Sequence, residues 1–321
     1  MLYNAERKNR FIESYAKSDS TIRVYTNIFN KVGEVEYKYN TDLCNMDDKE
    51  QILEAVSCVS GNRSPGTNWK IKMLQQYVQW CADILGGISN NLINISARDV
   101  NIAYMKNHMA SDPDDFNSYL DSFLRPDELI TIDIIYKCVL WLGYAGFPEE
   151  KILELRNFNV DLEIIDRIFT IEYDGKEYFV PDVAVSVFQK CIELKAFSYT
   201  NANYTGGSIM RSRVDGDVLL RGVRATSKSF RVLTQNISNR AKECDMKRRI
   251  NYTNASLSGF FYHLFTIEQH NSIDFKFYAD NYVSQREYKL DKSNSTLASI
   301  KTKVAKELEF DYKLWKLAFK K

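Results

Sequence analysis

The chain has 321 residues, of which 45% are hydrophobic and 26% are charged. This balance is typical of globular proteins, so it excludes extended disorder, and the length predicts about two domains. The start of the chain is polar and no run of about 18 apolar residues follows, which indicates a cytoplasmic protein without a membrane span. The six cysteines form no C-x-x-C pair and the three histidines are scattered. We therefore expect free thiols, no metal and no cofactor.

The net charge of +1 conceals a local excess of basic residues. Between Arg211 and Arg249, eleven Lys and Arg residues stand against four acidic ones. A local basic face is what the phosphate backbone of a nucleic acid requires. A solvated helix face is the alternative, and the charge pattern alone leaves both interpretations open.

Residues 1–106 are predicted to be helical throughout. Asp19 or Ser20 is the predicted N-cap of the first clear helix, because apolar residues follow it at helical spacing. Three further amphipathic patterns predict three more helices. The polar stretch 108–116 contains Pro113 and is predicted to be a linker. We therefore expect one domain over 1–108 and a second over 113–321.

The second half mixes helices with a small amount of strand. Helices are predicted from Asn117 and from Pro126, and residues 148–163 are predicted to form a short helix that continues into a strand. Two alternating runs flank Asp174 and Gly175, a pair that favours a tight β-hairpin turn. Residues 183–197 and 226–243 are predicted to be helices, with a loop at 199–208 between them. The remainder from Asn254 is predicted to be helical.

Six strings stand out along this order of elements: STIRVY (20–25), SPGT (64–67), FLRPDEL (123–129), GKEYFVP (175–181), TSKSFRVLTQNISNRAKE (226–243) and INYTNASLSGFFYHLF (250–265). These strings, in this order, resemble the tyrosine recombinases, or phage integrases. The resemblance implies a mainly α fold with a small β-sheet. A helical, SAM-like core-binding domain and a recombinase-like catalytic domain would grip DNA as a C-shaped clamp.

The departures from the family pattern predict a protein that is not an enzyme. Pro148 stands where the family has its first catalytic arginine, and no His-x-x-Arg motif occurs in the chain. That motif aligns with residues 255–258. Arg156 is a candidate replacement for the arginine, because it lies eight residues, or about two helical turns, after Pro148. Lys176 fits the position of the hairpin lysine, and an ordinary hairpin-tip residue is the alternative interpretation. The candidate nucleophiles are Tyr278, Tyr282 and Tyr288, none of which follows the family's approach sequence.

The polar lining of the clamp is the part that the sequence retains. The resemblance places DNA-binding side chains at helix starts and in the hairpin, where Ser, Thr and basic residues suit phosphate contacts. The candidate residues are Ser20, Thr21, Arg23, Arg63, Ser64, Thr67, Asn68, Lys70, Lys72, Lys176, Ser227, Lys228, Ser229, Arg231, Arg248, Arg249, Thr253, Asn254 and Ser256.

A recombinase fold without its chemistry implies a sequence-specific repressor. The closer resemblance is to the repressors that maintain lysogeny in SPβ-like Bacillus prophages, with a double-stranded DNA operator as the partner and the nucleoid as the location. Self-association and a regulatory protein partner stay open. An active, divergent recombinase is the first alternative. A helical protein-interaction module that does not bind DNA is the second.

Overall fold

The computed structural model describes residues 2–59, 64–86, 88, 91–125, 132–194, 196–199, 209–212, 216–220, 227–285 and 297–320. It divides into two compact units, unit 1 (Met1–Lys106 with Lys313–Lys321) and unit 2 (Asn107–Tyr312). The described residues are mostly helical and carry one three-stranded antiparallel sheet, so the predicted fold class is confirmed. None of the described helices is both long and apolar enough to cross a membrane. The predicted domain limits stay a prediction.

Five α-helices begin within the described residues of unit 1. They are α1 (Ala5–Tyr15), α2 (Asp19–Tyr39), α3 (Lys49–Ser57), α4 (Ser64–Leu85) and α5 (Ala97–His108). Their apolar faces meet around aromatic rings, with Phe11 and Phe29 at centroid distances of 5.3 and 4.9 Å from Tyr77. The N-cap of α2 is Ser18, whose side chain accepts a hydrogen bond from the backbone N–H of Thr21. The predicted caps Asp19 and Ser20 were therefore wrong by one and two positions.

A fully buried ion pair joins α1 to α2. Lys8 Nζ lies 2.7 and 2.6 Å from the two carboxylate oxygens of Glu36, and neither side chain is exposed to solvent. The same ammonium donates to the carbonyl of Tyr3, and Glu36 accepts from the backbone N–H of Leu43. A buried charge persists only when paired and hydrogen-bonded in this way.

Unit 2 contains α6 (Pro113–Phe123), α7 (Ile132–Tyr144), α8 (Val185–Glu193), α9 (Ser227–Glu243), α10 (Tyr252–Glu268) and α11 (Phe275–Gln285), and α12 spans Leu297–Phe319. Helix α7 is buried along its length and packs closely on α10. A side chain at Gly259 would meet the carbonyl oxygen of Tyr144 at 1.9 Å, so only glycine permits this approach. The Tyr252 hydroxyl donates to the carbonyl of Phe147 at 2.6 Å and fixes the start of α10 beside the end of α7.

The three-stranded sheet has the order β1 (Val160–Ile165), β2 (Ile168–Tyr173), β3 (Lys176–Pro181). Asp174 and Gly175 have φ values of 52° and 68°, the left-handed conformations that a two-residue hairpin turn requires, so the predicted hairpin is confirmed. Asp166 and Arg167 make a second such turn between β1 and β2. That turn was not predicted from the sequence.

Several predicted elements were wrong. Ala110 lies in the core of unit 2 and α6 begins at Pro113, so 108–116 is not a linker throughout, and the helix does not start at Asn117. Residues 148–163 form two short 3-10 helices in place of the predicted helix, whereas the strand predicted after it is present as β1. The predicted helix 183–197 ends at Glu193, and β4 (Ala196–Tyr199) pairs with β5 (Ile209–Ser212). The predicted helix start at Pro126 lies outside the described residues.

Candidate nucleic-acid interface

The first turns of α2 present two of the predicted DNA-binding hydroxyls and one arginine. The hydroxyl oxygen of Ser18 lies 3.0 Å from that of Ser20 and 2.9 Å from that of Thr21, so both predicted residues belong to the cap network. Ser20 and Arg23 are exposed and Thr21 is half-buried. The exposed stripe continues at helical spacing through Asn27 to Lys31, two residues that the sequence analysis missed.

The start of α4 carries the second group of predicted residues. Asn68 and Lys72 are exposed and lie one turn apart, and Gln76 continues the same exposed stripe. Ser64 and Thr67 lie in the first turn of the helix, and their side chains are outside what the structure describes. Arg63 lies outside the described residues.

Lys70 is placed differently from its neighbours on α4. Its ammonium donates to the carbonyl of Val59 at 2.7 Å. Burial, followed by repulsion from Lys31, lowers the pKa of Lys70. Lys31 of α2 and Lys70 of α4 are therefore close enough to repel, and their combined positive potential suits an anion such as phosphate.

In unit 2, α9 has one buried and one exposed face. Leu233, Ile237 and Ala241 are buried at four-residue spacing. The opposite face exposes Arg231, Gln235, Asn239 and Lys242, with Gln235 Nε2 donating to Asn239 Oδ1 at 3.0 Å. Ser229 is half-buried, and the side chains of Ser227 and Lys228 are outside what the structure describes. Arg231 was predicted from the sequence and the other three were not, although their spacing of three or four residues places them opposite the apolar residues.

Arg248 is engaged inside unit 2. Its guanidinium lies 2.7 and 2.6 Å from the two carboxylate oxygens of Asp115 and also donates to the carbonyl of Met109. Although burial would raise the pKa of Asp115, the hydrogen bond from Arg248 and its charge hold that pKa below its usual value. Arg249 is exposed, and its backbone N–H donates to the carbonyl of Asn107. The two neighbouring arginines thus occupy very different environments.

The start of α10 carries the residues that replace the family's second motif. Thr253 is exposed, Ser256 is half-buried and Asn254 is only 2% exposed. Ser258 is fully buried, donates to the carbonyl of Asn254 and accepts from the backbone N–H of Ala110. This short polar network ties the start of unit 2 to α10. The DNA contacts predicted for Thr253, Asn254 and Ser256 stay a prediction.

Arg156 and Pro148 do not share a helix. The chain between them is a turn followed by a 3-10 helix, so the helical spacing that made Arg156 a candidate replacement does not apply. The Arg156 guanidinium lies 2.9 Å from the carboxylate of Asp217. Its charge is therefore matched locally.

The hairpin lysine and the candidate tyrosines are placed as follows. Lys176 is exposed at the hairpin tip between two acidic residues, Asp174 and Glu177. Tyr278 is half-buried on α11 against the ring of Phe260. The side chain of Tyr282 and the whole of Tyr288 lie outside the described residues.

The helical segment 2–83 is similar to the core-binding domains of the phage-integrase family. The family model that it matches is that of the MrpR N-terminal core-binding domain, and MrpR is a recombinase-like repressor. The matched segment contains α1, α2, α3 and most of α4, so it includes the polar stripes of α2 and α4. The match supports the resemblance to tyrosine recombinases. No curated protein matches the chain.

Proposed function

We propose that the protein binds double-stranded DNA sequence-specifically and silences prophage genes by occupying their operators, without cleaving DNA. One observation carries the proposal: the segment similar to a core-binding domain exposes Asn68, Lys72 and Gln76 along one face of α4. Amide side chains can pair with the edge of adenine, and lysine with guanine or phosphate.

The basic side chains around this face supply the electrostatic part of binding. Within the described residues, no acidic side chain forms an ion pair with Arg23, Lys31 or Lys72, so their charges are available to phosphates. Each neutralised phosphate releases counterions, which gives affinity and a strong dependence on salt. Arg231 and Lys242 on α9 give unit 2 the same capacity.

The absence of cleavage is proposed from the missing chemistry. Strand transfer in the resembled family requires two arginines and a histidine to neutralise the charge that develops on the scissile phosphate. Pro148 has no side-chain donor, and no His-x-x-Arg motif occurs in the sequence. Arg156, the nearest candidate, is paired with Asp217. Binding is left as the function, and an occupied operator blocks transcription.

The test is to recover the DNA that the purified full-length protein selects from a random duplex library at physiological salt. We expect one enriched motif. The matched control is the Asn68→Ala variant carried through the same selection, for which we expect weaker enrichment or a changed base preference. Recovery of duplexes without any shared motif would contradict a sequence-specific function.

A further inference from the structure

The three-stranded sheet of unit 2 has a second face that the core does not cover. Phe169, Ile171 and Val180 point into the core. Because side chains alternate along a strand, the residues between them point away from it. The register places Ile165, Ile168 and Pro181 in one cross-strand row on this outer face, and Thr170 beside Phe179 in the next.

The centre of this outer face is apolar and open. The side chain of Ile165 is 63% exposed and that of Phe179 is 52% exposed. Ile168 and Pro181 lie beside them and are half-buried. Single exposed apolar residues are ordinary, but an apolar cluster on a regular surface is typical of an interaction site.

The margin of the outer face is acidic. Asp161 faces Thr170, and Glu172 faces Glu177, so three exposed carboxylates share this face. Within the part of the chain that the structure describes, no cation forms an ion pair with any of the three. Arg167 lies nearby, and its Nε atom is 3.3 Å from a carboxylate oxygen of Asp182. The face therefore repels phosphate and attracts a basic partner.

The dimensions of the face restrict the partner further. Three strands about 4.8 Å apart give a surface about 10 Å across, which is the diameter of one α-helix. An amphipathic helix packs on a sheet through its apolar side, and lysines or arginines on its flanks would reach the acidic margin.

We propose that the outer face of the β1–β2–β3 sheet is a docking site for a single amphipathic helix of a partner protein, apolar on one side and basic on its flanks. Phe179 and Ile165 are the apolar anchors, and Glu172 and Glu177 select the basic flank. The site shares no residue with the faces proposed to bind DNA, and the proposal does not depend on that function.

The test uses the full-length protein and a labelled helical peptide with a leucine stripe and lysine flanks, measured by fluorescence anisotropy. We expect Phe179→Ser to weaken binding at least about tenfold, because the variant loses the larger of the two apolar anchors. The matched control is Phe277→Ser on α11, because Phe277 is similarly exposed at 58%. We expect this variant to bind the peptide as tightly as the wild type does.

A second arm tests the charge. Glu172→Gln with Glu177→Gln should weaken the lysine peptide severalfold, whereas Glu149→Gln with Glu150→Gln, two exposed acids outside the sheet, should not. A peptide with glutamate flanks should not bind. Equal binding of the lysine peptide to Phe179→Ser and the wild type, or no binding to either, would overturn the proposal.

Two further outcomes would assign the face to another occupant and overturn the proposal as well. Sedimentation could show a wild-type dimer that Phe179→Ser abolishes, in which case a second copy of the chain covers the face. A loss of duplex affinity in Phe179→Ser, with an unchanged melting temperature, would instead make the sheet part of the DNA interface.

Discussion

The two units differ in which of their cations are held by carboxylates. In unit 1 the tightest ion pair, Lys8 with Glu36, lies in the interior, and the surface cations Arg23, Lys31 and Lys72 have no acidic partner among the described residues. In unit 2 three arginines of the surface region are held by carboxylates, with Arg248 on Asp115, Arg240 near Asp133 and Arg156 on Asp217. A count of basic residues in the sequence therefore overestimates the charge that unit 2 can offer to DNA.

The largest effect is expected for the interior pair. Lys8→Ala leaves the Glu36 carboxylate buried without its partner, and we expect it to lower the free energy of unfolding by about 3–5 kcal/mol. Urea denaturation of the full chain measures this loss. The control is Lys38→Ala, because Lys38 pairs with Glu54 at the surface and should contribute less than about 1 kcal/mol. Similar losses of unfolding free energy in both variants would show that the buried pair contributes no more to stability than the surface pair does.

Arg248→Ala should have the next largest effect. It removes the two-oxygen contact with Asp115 and the bonds to the Met109 carbonyl, so we expect a loss of about 2–3 kcal/mol in unfolding free energy. The exposed neighbour Arg249 is the matched control, and Arg249→Ala should change stability by less than about 0.5 kcal/mol. A stable Arg248→Ala variant with weakened DNA binding would instead place Arg248 at the DNA.

The same pair predicts a dependence on pH. The pKa of Asp115 is lower in the folded state than in the unfolded state. Its contribution to the free energy of unfolding is therefore complete above the unfolded carboxyl pKa of about 3.9, and it is lost as the pH falls through the folded-state pKa. We therefore expect the stability difference between the wild type and Arg248→Ala to shrink on acidification below about pH 4. A constant difference across this range would exclude the ion pair as its cause.

Side chains that read bases should change specificity more than stability. We expect Asn68→Ala and Gln235→Ala each to reduce the discrimination between the selected and an unrelated duplex by about 1–3 kcal/mol. A competition titration measures that ratio. The control is Gln79→Ala, which removes an exposed amide from the last turns of α4. Gln79 donates a hydrogen bond to Asp83, and its removal should leave the discrimination between the two duplexes unchanged. Equal losses on both duplexes would reduce Asn68 and Gln235 to non-specific contacts.

The smallest effect is expected when single surface cations are removed, and it should differ between cations with and without an acidic partner. Arg23→Ala and Lys72→Ala should each weaken all duplexes about fivefold and lower the salt slope by about one unit, because each removes one phosphate contact. Lys151→Ala should leave both quantities unchanged, since Lys151 is paired with Glu154 at 3.1 Å. A lower salt slope for Lys151→Ala would show that a cation paired with a carboxylate contacts DNA as well as an unpaired one does.

The sequence predicted those parts of the fold that depend on local patterns. The hairpin turn at Asp174 and Gly175 and the helices α2 to α5 follow from turn chemistry and apolar spacing, which neighbouring residues determine. The role of Arg248 could not be predicted in this way, because Asp115 lies 133 residues earlier in the chain. The helix predicted to begin at residue 148 was wrong for a similar reason. Arg156 forms an isolated antiparallel β-bridge with Val218, which lies far along the chain, and helical spacing does not reveal this pairing. The exposed face of α9 was readable from spacing and was overlooked.

The proposed function requires that this chain binds duplex DNA without cutting it. The most direct measurement incubates the full-length protein with its selected duplex, nicked so that any attack on a phosphate traps the protein. Half of each sample is run on a native gel and half on a denaturing gel. We predict full occupancy on the native gel and complete release of intact DNA on the denaturing gel. A covalent protein–DNA adduct that Phe substitution at Tyr278, Tyr282 or Tyr288 removes would contradict the account.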